Sequence, residues 1–271
     1  MRLRFIGTGA AEGMPGVFCG CETCQTARER KGMDIRRRSA ALLNDSLLLD
    51  FPPDLYSVTC EDARLLAVRH IFITHGHRTH FFTGDLPNMR SPYSRSKQPR
   101  ICLYGSAEVG QYLKEQLGRY YDQIAPELLD LRVMKPFETA EADGLRVTAL
   151  PARRCSGAFI YLIEDDESAL LYAVDTGYPP EDVWDFLLGR ALTTVVMDCC
   201  NLTEAETAIH MNIEDNVTLM RRLYAQKSAN DKTRYIATHF SHIGGQNHAE
   251  ISEALRLYGI RAAYDGMTVD G

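Results

Sequence analysis

Short apolar runs closed by glycine, proline or an acid recur along the chain, and stretches of helical period separate them. Such runs read as buried strands, because β-branched and aromatic side chains suit a pleated surface covered on both faces. Strands are expected at about Arg2–Ile6, Ser39–Leu43, Leu47–Asp50, Ile71–Ile73, Ile101–Tyr104, Leu131–Met134, Leu145–Leu150, Phe159–Ile163, Ala169–Val174, Thr193–Met197 and Arg234–Ala237, with a closing strand over Arg261–Val269. Helices are expected over Asp54–Leu66, Ser106–Leu117, Pro179–Leu188, Asn212–Tyr224 and His248–Leu257. Ser106 has the side chain of an N-cap, and the Pro179-Pro180 pair opens its helix where a missing N–H costs nothing. Asn44-Asp45, between two apolar runs, predicts a hairpin turn. A short helix and a loop rich in Pro, Ser, Lys and Arg (Pro87–Arg100) follow residue 80. Strands alternating with helices throughout give an α/β protein with helices over sheet faces. No repeat, low-complexity tract or linker interrupts the 271 residues, so a single domain, 1–271, is expected.

Composition changes this picture little. The hydrophobic content of 45% and charged content of 24% are those of an ordinary globular protein with material for a large core. A net charge of -6 argues against a nucleic-acid partner, since phosphate backbones are held by basic surfaces. No apolar run approaches the length of a membrane helix, and the first residues go straight into a strand without a signal peptide, so no membrane role and a cytoplasmic location are expected. The sequence does not give the oligomeric state, and a homodimer stays among the assemblies to test.

The chemistry concentrates at strand ends. Thr74-His75-Gly76-His77-Arg78-Thr79-His80 follows the apolar run Ile71–Ile73 and holds three of the eight histidines. In an extended segment residues two apart share a face, so His75 and His77 are expected to converge on one ion and His80 to aim at a second point nearby. Leu47–Leu49 ends in Asp50, Leu170–Val174 ends in Asp175, and Tyr235–Thr238 ends in His239. Cys19-Gly20-Cys21-Glu22-Thr23-Cys24 places three of the eight thiols at metal-like spacing, one ligand short of a closed tetrahedral site. Cys60, Cys102, Cys199 and Cys200 look like core or strand residues and receive no role.

These motifs resemble those of the metallo-β-lactamase superfamily, whose signature is His-x-His-x-Asp-His. The likeness runs over nearly the whole chain, from Gly7-Thr8-Gly9 to Tyr264-Asp265-Gly266-Met267. It implies an αββα sandwich of two mixed sheets flanked by helices. It also implies a metal-dependent hydrolase, with zinc or manganese held by His75, His77, His80, His239 and a bridging Asp175, and with Asp50 orienting the metal loop. The Cys cluster with Thr238-His239-Phe240-Ser241-His242 is similar to one branch, which includes the phosphodiesterase accessory protein of carbon–phosphorus lyase operons. That similarity implies a phosphodiesterase acting on a small phosphate-containing substrate, and a structural zinc on Cys19, Cys21, Cys24 and His242. In the same branch a histidine aligned with His210 lies near the bound phosphate.

Two positions depart from the pattern. Thr79 stands where the family has the ligand Asp, and Arg154 stands where a ligand His is expected, with Cys155 one residue on. A neutral hydroxyl and a guanidinium make the pocket more positive and work against two divalent ions. Three outcomes follow: two ions bound weakly, one bound tightly with Arg154 replacing the charge of the other, or an empty centre. A register slip would instead offer Cys155 as a soft ligand. The competing function is a catalytically impaired member that keeps the structural zinc and binds an anionic ligand or partner.

Overall fold

A computed structural model describes residues 1–95, 100–203 and 208–270. Residues 96–99 of the expected Pro87–Arg100 loop lie outside the described residues. The first half of the chain gives β1 (Arg2–Gly7), α1 (Glu22–Arg30), β2 (Ala40–Leu43), β3 (Leu47–Leu49), α2 (Leu55–Thr59), β4 (His70–Phe72), β5 (Ile101–Gly105), α3 (Ala107–Leu117), α4 (Tyr121–Leu128) and β6 (Leu129–Val133). The second half gives β7 (Thr139–Ala142), β8 (Leu145–Pro151), β9 (Phe159–Glu164), β10 (Ala169–Ala173), α5 (Glu181–Leu187), β11 (Thr194–Asp198), α6 (Ile213–Ala225), β12 (Arg234–Thr238), α7 (His248–Arg256), β13 (Ile260–Ala262) and β14 (Thr268–Asp270).

Two seven-stranded mixed sheets result, in the orders β14-β1-β2-β3-β4-β5-β6 and β13-β12-β11-β10-β9-β8-β7. Leu43, Leu47, Leu49, Phe72 and Tyr104 of the first sheet meet Val147, Tyr161, Tyr172, Val196 and Ile236 of the second in one buried cluster. The opposite faces pack on helices: Leu42, Leu48, Ile71 and Leu103 against Val109 and Leu113 of α3, and Leu171, Val195 and Ala237 against Trp184, Leu219, Leu223 and Ile251. Both faces of each sheet are therefore covered, which is why the central strands read as unbroken apolar runs. The fold is α/β, two mixed sheets flanked by helices. No helix of the described residues is long and apolar enough to cross a membrane.

Local chemistry fixes the joints. Asn44 and Asp45 both take left-handed backbone (φ 47 and 62) in the three-residue connection that pairs Leu43 with Leu47. Ser106 accepts from the Val109 N–H at 3.3 Å, as its position predicts. Asn212 and Asn247 each close a capping box, with Asp215 and with Glu250.

Several expected elements come out differently. The helix expected over 54–66 is α2 followed by a separate 3-10 turn, Ala63–Ala67, because Asp62 turns back to cap Arg64 instead of continuing the helix. The closing strand over 261–269 is two strands in different sheets, parted by a turn at Gly266 (φ +90) that lets β14 cross back to β1. Helices α1 and α4 and strand β7 are further elements; α1 grows directly from the Cys cluster, with Cys21 at its N-cap.

Candidate metal centre

Most functional side chains in the interior leave a strand at its C-terminal end. Asp50 follows β3, the 74–80 segment follows β4, Asp175 follows β10, Asp198 ends β11 and His239 follows β12. Asp50, Asp175 and His239 all hold positive φ, at 64, 52 and 64. Left-handed backbone at non-glycine residues costs of order 1 kcal/mol or more each and persists where the surroundings impose it, typically at functional sites. Asp50, Asp175, Asp198, His75, His80 and His239 are all at most 3% exposed.

Asp175 is the hub. Its Oδ2 lies 3.3 Å from His75 Nε2 and 3.1 Å from His80 Nε2. Its Oδ1 accepts from Arg154 Nε at 2.7 Å and lies 3.4 Å from His210 Nδ1 and 3.5 Å from His239 Nε2. The two oxygens thus face different company: a pair of imidazoles on one side, a guanidinium and two further imidazoles on the other. The concentrated positive charge, led by His239 and His80, holds Asp175 well below the usual carboxylate range although burial opposes it.

Outer contacts fix each ring. Asp50 accepts from the Thr74 N–H and hydroxyl and pairs with His80 Nδ1 at 2.7 Å. Burial works against charge on His80, but Asp50, with Asp175, raises its pKa to about 10. His75 Nδ1 lies 3.0 Å from the Thr74 hydroxyl, and burial pushes this imidazole well below its usual pKa. Ser39 Oγ meets His239 Nδ1 at 2.9 Å, and burial lowers that ring too. His210 Nδ1 lies 3.2 Å from Asp198 Oδ2; burial opposes its charge, but the hydrogen bond to Asp198 raises its pKa.

The segment after β4 is not extended. The His77 N–H donates to the His75 carbonyl and the His80 N–H to the His77 carbonyl, so the chain turns tightly and brings His80, not His77, beside His75. His75, His80 and Asp175 bring their ligand atoms within 4.8 Å of one another, while the His77 ring lies parallel to that of His75 with centroids 6.1 Å apart. His77 is exposed, with Nδ1 2.6 Å from the Thr79 hydroxyl. Among the described residues it joins no such group. Arg154, not Cys155, takes the place on Asp175; Cys155 is exposed and, among the described residues, stands in no donor group. Asp198 and Cys200 enter the centre unannounced: Asp198 groups with Asp175, His210 and His239, and Cys200 groups with His210 and His239. The signal for Asp198 was available, since Thr194–Met197 is an apolar run closed by an acid like those before Asp50 and Asp175.

The donor set suits a cation on the Oδ2 side. The Nε2 atoms of His75 and His80 are buried and have no hydrogen-bond partner, although both point at one carboxylate oxygen. Buried polar atoms are rarely left so, and imidazoles with a carboxylate are ordinary ligands of divalent metals once His80 gives up its proton. On the Oδ1 side Arg154 already supplies a fixed positive charge.

The thiol cluster is a separate site. Cys19, Cys21, Cys24 and His242 bring their ligand atoms within 4.8 Å of one another, with Cys21 Sγ 3.5 Å from His242 Nδ1. The Gly16 N–H donates to Cys24 Sγ at 3.3 Å. The Cys24 backbone N–H lowers Cys21 to about 6, whereas burial raises Cys24 to about 11. Three thiols and an imidazole make a closed set for a tetrahedral ion. It joins the loop before α1 to the turn after β12.

The family described as beta-lactamase superfamily domain matches residues 48–240. A diphosphatase of the PhnP family is similar in structure, with a TM-score of 0.73 at 21% identity, covering 100% of this chain and 97% of its own. Zn²⁺-bound PqqB from Methylobacterium extorquens gives 0.72 at 18% identity, with 100% of each chain covered. The short form of human tRNase Z gives 0.66 at 16%, covering 100% and 99%. At such identities the likeness is one of fold. A search of curated proteins gives no match. With the matched domain spanning more than half its length, the chain belongs to the metallo-β-lactamase superfamily.

Proposed function

We propose that the chain is a metal-dependent hydrolase, a phosphodiesterase acting on a small phosphate ester. The observation that carries this reading is the divided environment of Asp175, with two imidazole Nε2 atoms that make no hydrogen bond at one oxygen and a guanidinium at the other. His75, His80 and Asp175 would hold one divalent ion, zinc or manganese, with His77 at the exposed rim. Bound there, the ion supplies Lewis acidity to the reaction. Arg154 stands in for the charge of a second ion and clamps a phosphate oxygen, a task that suits its planar donor fork. His210, raised by its bond to Asp198, carries a proton at Nδ1 or Nε2 for the leaving group. His239 lines the same side, and Asp50 holds His80 and Thr74 in place. Zinc on Cys19, Cys21, Cys24 and His242 is structural. The chain forms one domain in this reading, works in the cytoplasm and takes a small phosphate-containing partner, with a homodimer as the assembly to examine. A fold neighbour named a diphosphatase of the PhnP family supports phosphate-ester chemistry.

A second reading rests on the 2.7 Å Arg154–Asp175 pair, which ties up the hub carboxylate. It gives a non-catalytic descendant that binds an anion. Hydrolysis of bis(p-nitrophenyl) phosphate separates the two. The hydrolase reading expects manganese-dependent turnover that is lost in Asp175→Asn. No turnover with manganese or zinc, at any loading, overturns it and leaves the anion binder.

A further inference from the structure

Cys200 has no place in the reading above, yet its sulfur belongs to a compact donor group. Cys200, His210 and His239 offer one ligand atom each, all within 4.8 Å of one another. Cys200 follows β11 directly, two residues beyond Asp198, and its N–H donates to Asp198 Oδ1 at 3.1 Å. That bond anchors the turn and sets the thiol beside the two rings on the Oδ1 side of Asp175. Asp175 and Asp198 form a second donor group with His210 and His239, so carboxylates adjoin the Cys200 group. Tetrahedral zinc, with bonds of about 2.0–2.3 Å, places neighbouring donors roughly 3.5 Å apart, so the group closes on an ion with small side-chain movements. A thiolate with two imidazoles selects a soft ion such as zinc over manganese or magnesium. It also adds an anionic ligand to this side of the centre.

We propose that Cys200, His210 and His239 form a zinc site distinct from both the thiol cluster and the His75–His80–Asp175 site, and that zinc bound there inhibits the hydrolase. Binding exchanges the Cys200 S–H proton, released to solvent, for an S–Zn bond. It takes one ring nitrogen of His210 and so removes this ring as the proton carrier for the leaving group. The inhibitory half rests on the hydrolase reading; the binding half does not.

The test titrates cobalt(II), as a probe for zinc, into the full chain carrying metal on its thiol cluster, and follows the ultraviolet thiolate-to-cobalt band. A further rise in that band, absent in Cys200→Ser and Cys200→Ala, is expected. The bands of the Cys19, Cys21, Cys24 set report in the same samples that each variant is folded. Manganese-loaded enzyme should lose at least tenfold in turnover as zinc is added, and the ratio of rates with and without zinc should approach one in both variants. A thiolate band that ignores Cys200 overturns the site whatever the activity. Zinc inhibition that persists unchanged in both variants overturns the inhibitory role. Absence of all turnover defeats the hydrolase reading alone, and the cobalt band still decides the site.

Discussion

The thiol cluster and the Asp175 centre are built from similar donors yet draw their negative charge from different places. In the thiol cluster the charge resides in the ligands, and the group lies near the surface, with Cys21 exposed and only Cys24 buried. It meets the sequence motif without a break. In the centre a single deeply buried carboxylate serves five basic side chains, one of them a permanent cation. A surface thiolate site needs only its own ligands to be neutralised by an ion. A buried carboxylate hub must divide itself between an ion and Arg154, so its occupancy depends on residues that do not touch the ion. The difference locates the weakness of this chain at one shared group.

Removing that group should produce the largest effect. Asp175→Asn takes away the partner of Arg154 and His80 in the interior, and breaking a buried pair from one side costs about 3–5 kcal/mol. Thermal unfolding of the variant should show a loss of that order, together with loss of the interior ion, while the thiol site keeps its metal. An unchanged melting temperature would mean that Asp175 is not the hub. Next in size is the double reversion Thr79→Asp with Arg154→His. It replaces a guanidinium by a ligand and should raise interior metal affinity by more than the roughly 10–100-fold credited to outer contacts. A calorimetric titration that shows no gain would mean that neither substitution supplies a ligand.

Asp50→Asn should cost about 10–100-fold in metal affinity, the usual loss when the partner of a ligand histidine is removed. The same substitution should reduce proton release on metal binding, because His80, held at about 10 between Asp50 and Asp175, must give up a proton to become a ligand. Titration in buffers of different ionisation enthalpy measures that release. A further effect, confined to acid pH, lies away from both sites. His248 Nδ1 is 2.9 Å from the buried Arg36 guanidinium; burial, then Arg36, lowers its pKa from 6.5 to about 4. Its folded value is depressed, so its contribution to stability is complete above pH 6.5 and is lost as pH falls towards 4. Denaturant curves of wild type and His248→Gln should diverge in that window and run parallel above it.

Strand ends were legible because both faces of each sheet are covered, so Asp50, Asp175 and His239 stand out as polar stops after apolar runs. The pairing of histidines was not legible. It depends on turns after Phe72 that carbonyl hydrogen bonds impose, and alternation along an extended strand does not describe them. Asp198 shared the polar-stop pattern but belonged to no motif, and Cys200 was hidden by the resemblance of a Cys pair to core residues. The crossing of β14 to the first sheet depends on the left-handed turn at Gly266, which an apolar pattern does not show.

Metal equivalents per chain, counted by elemental analysis on protein purified without chelator from medium with added zinc and manganese, bear most directly on whether the Asp175 carboxylate holds an ion. More than one equivalent is expected in wild type, with Asp175→Asn losing the interior share and Cys24→Ser losing the thiol-bound one. One equivalent in wild type, unaltered by Asp175→Asn and lost in Cys24→Ser, would show an interior without metal.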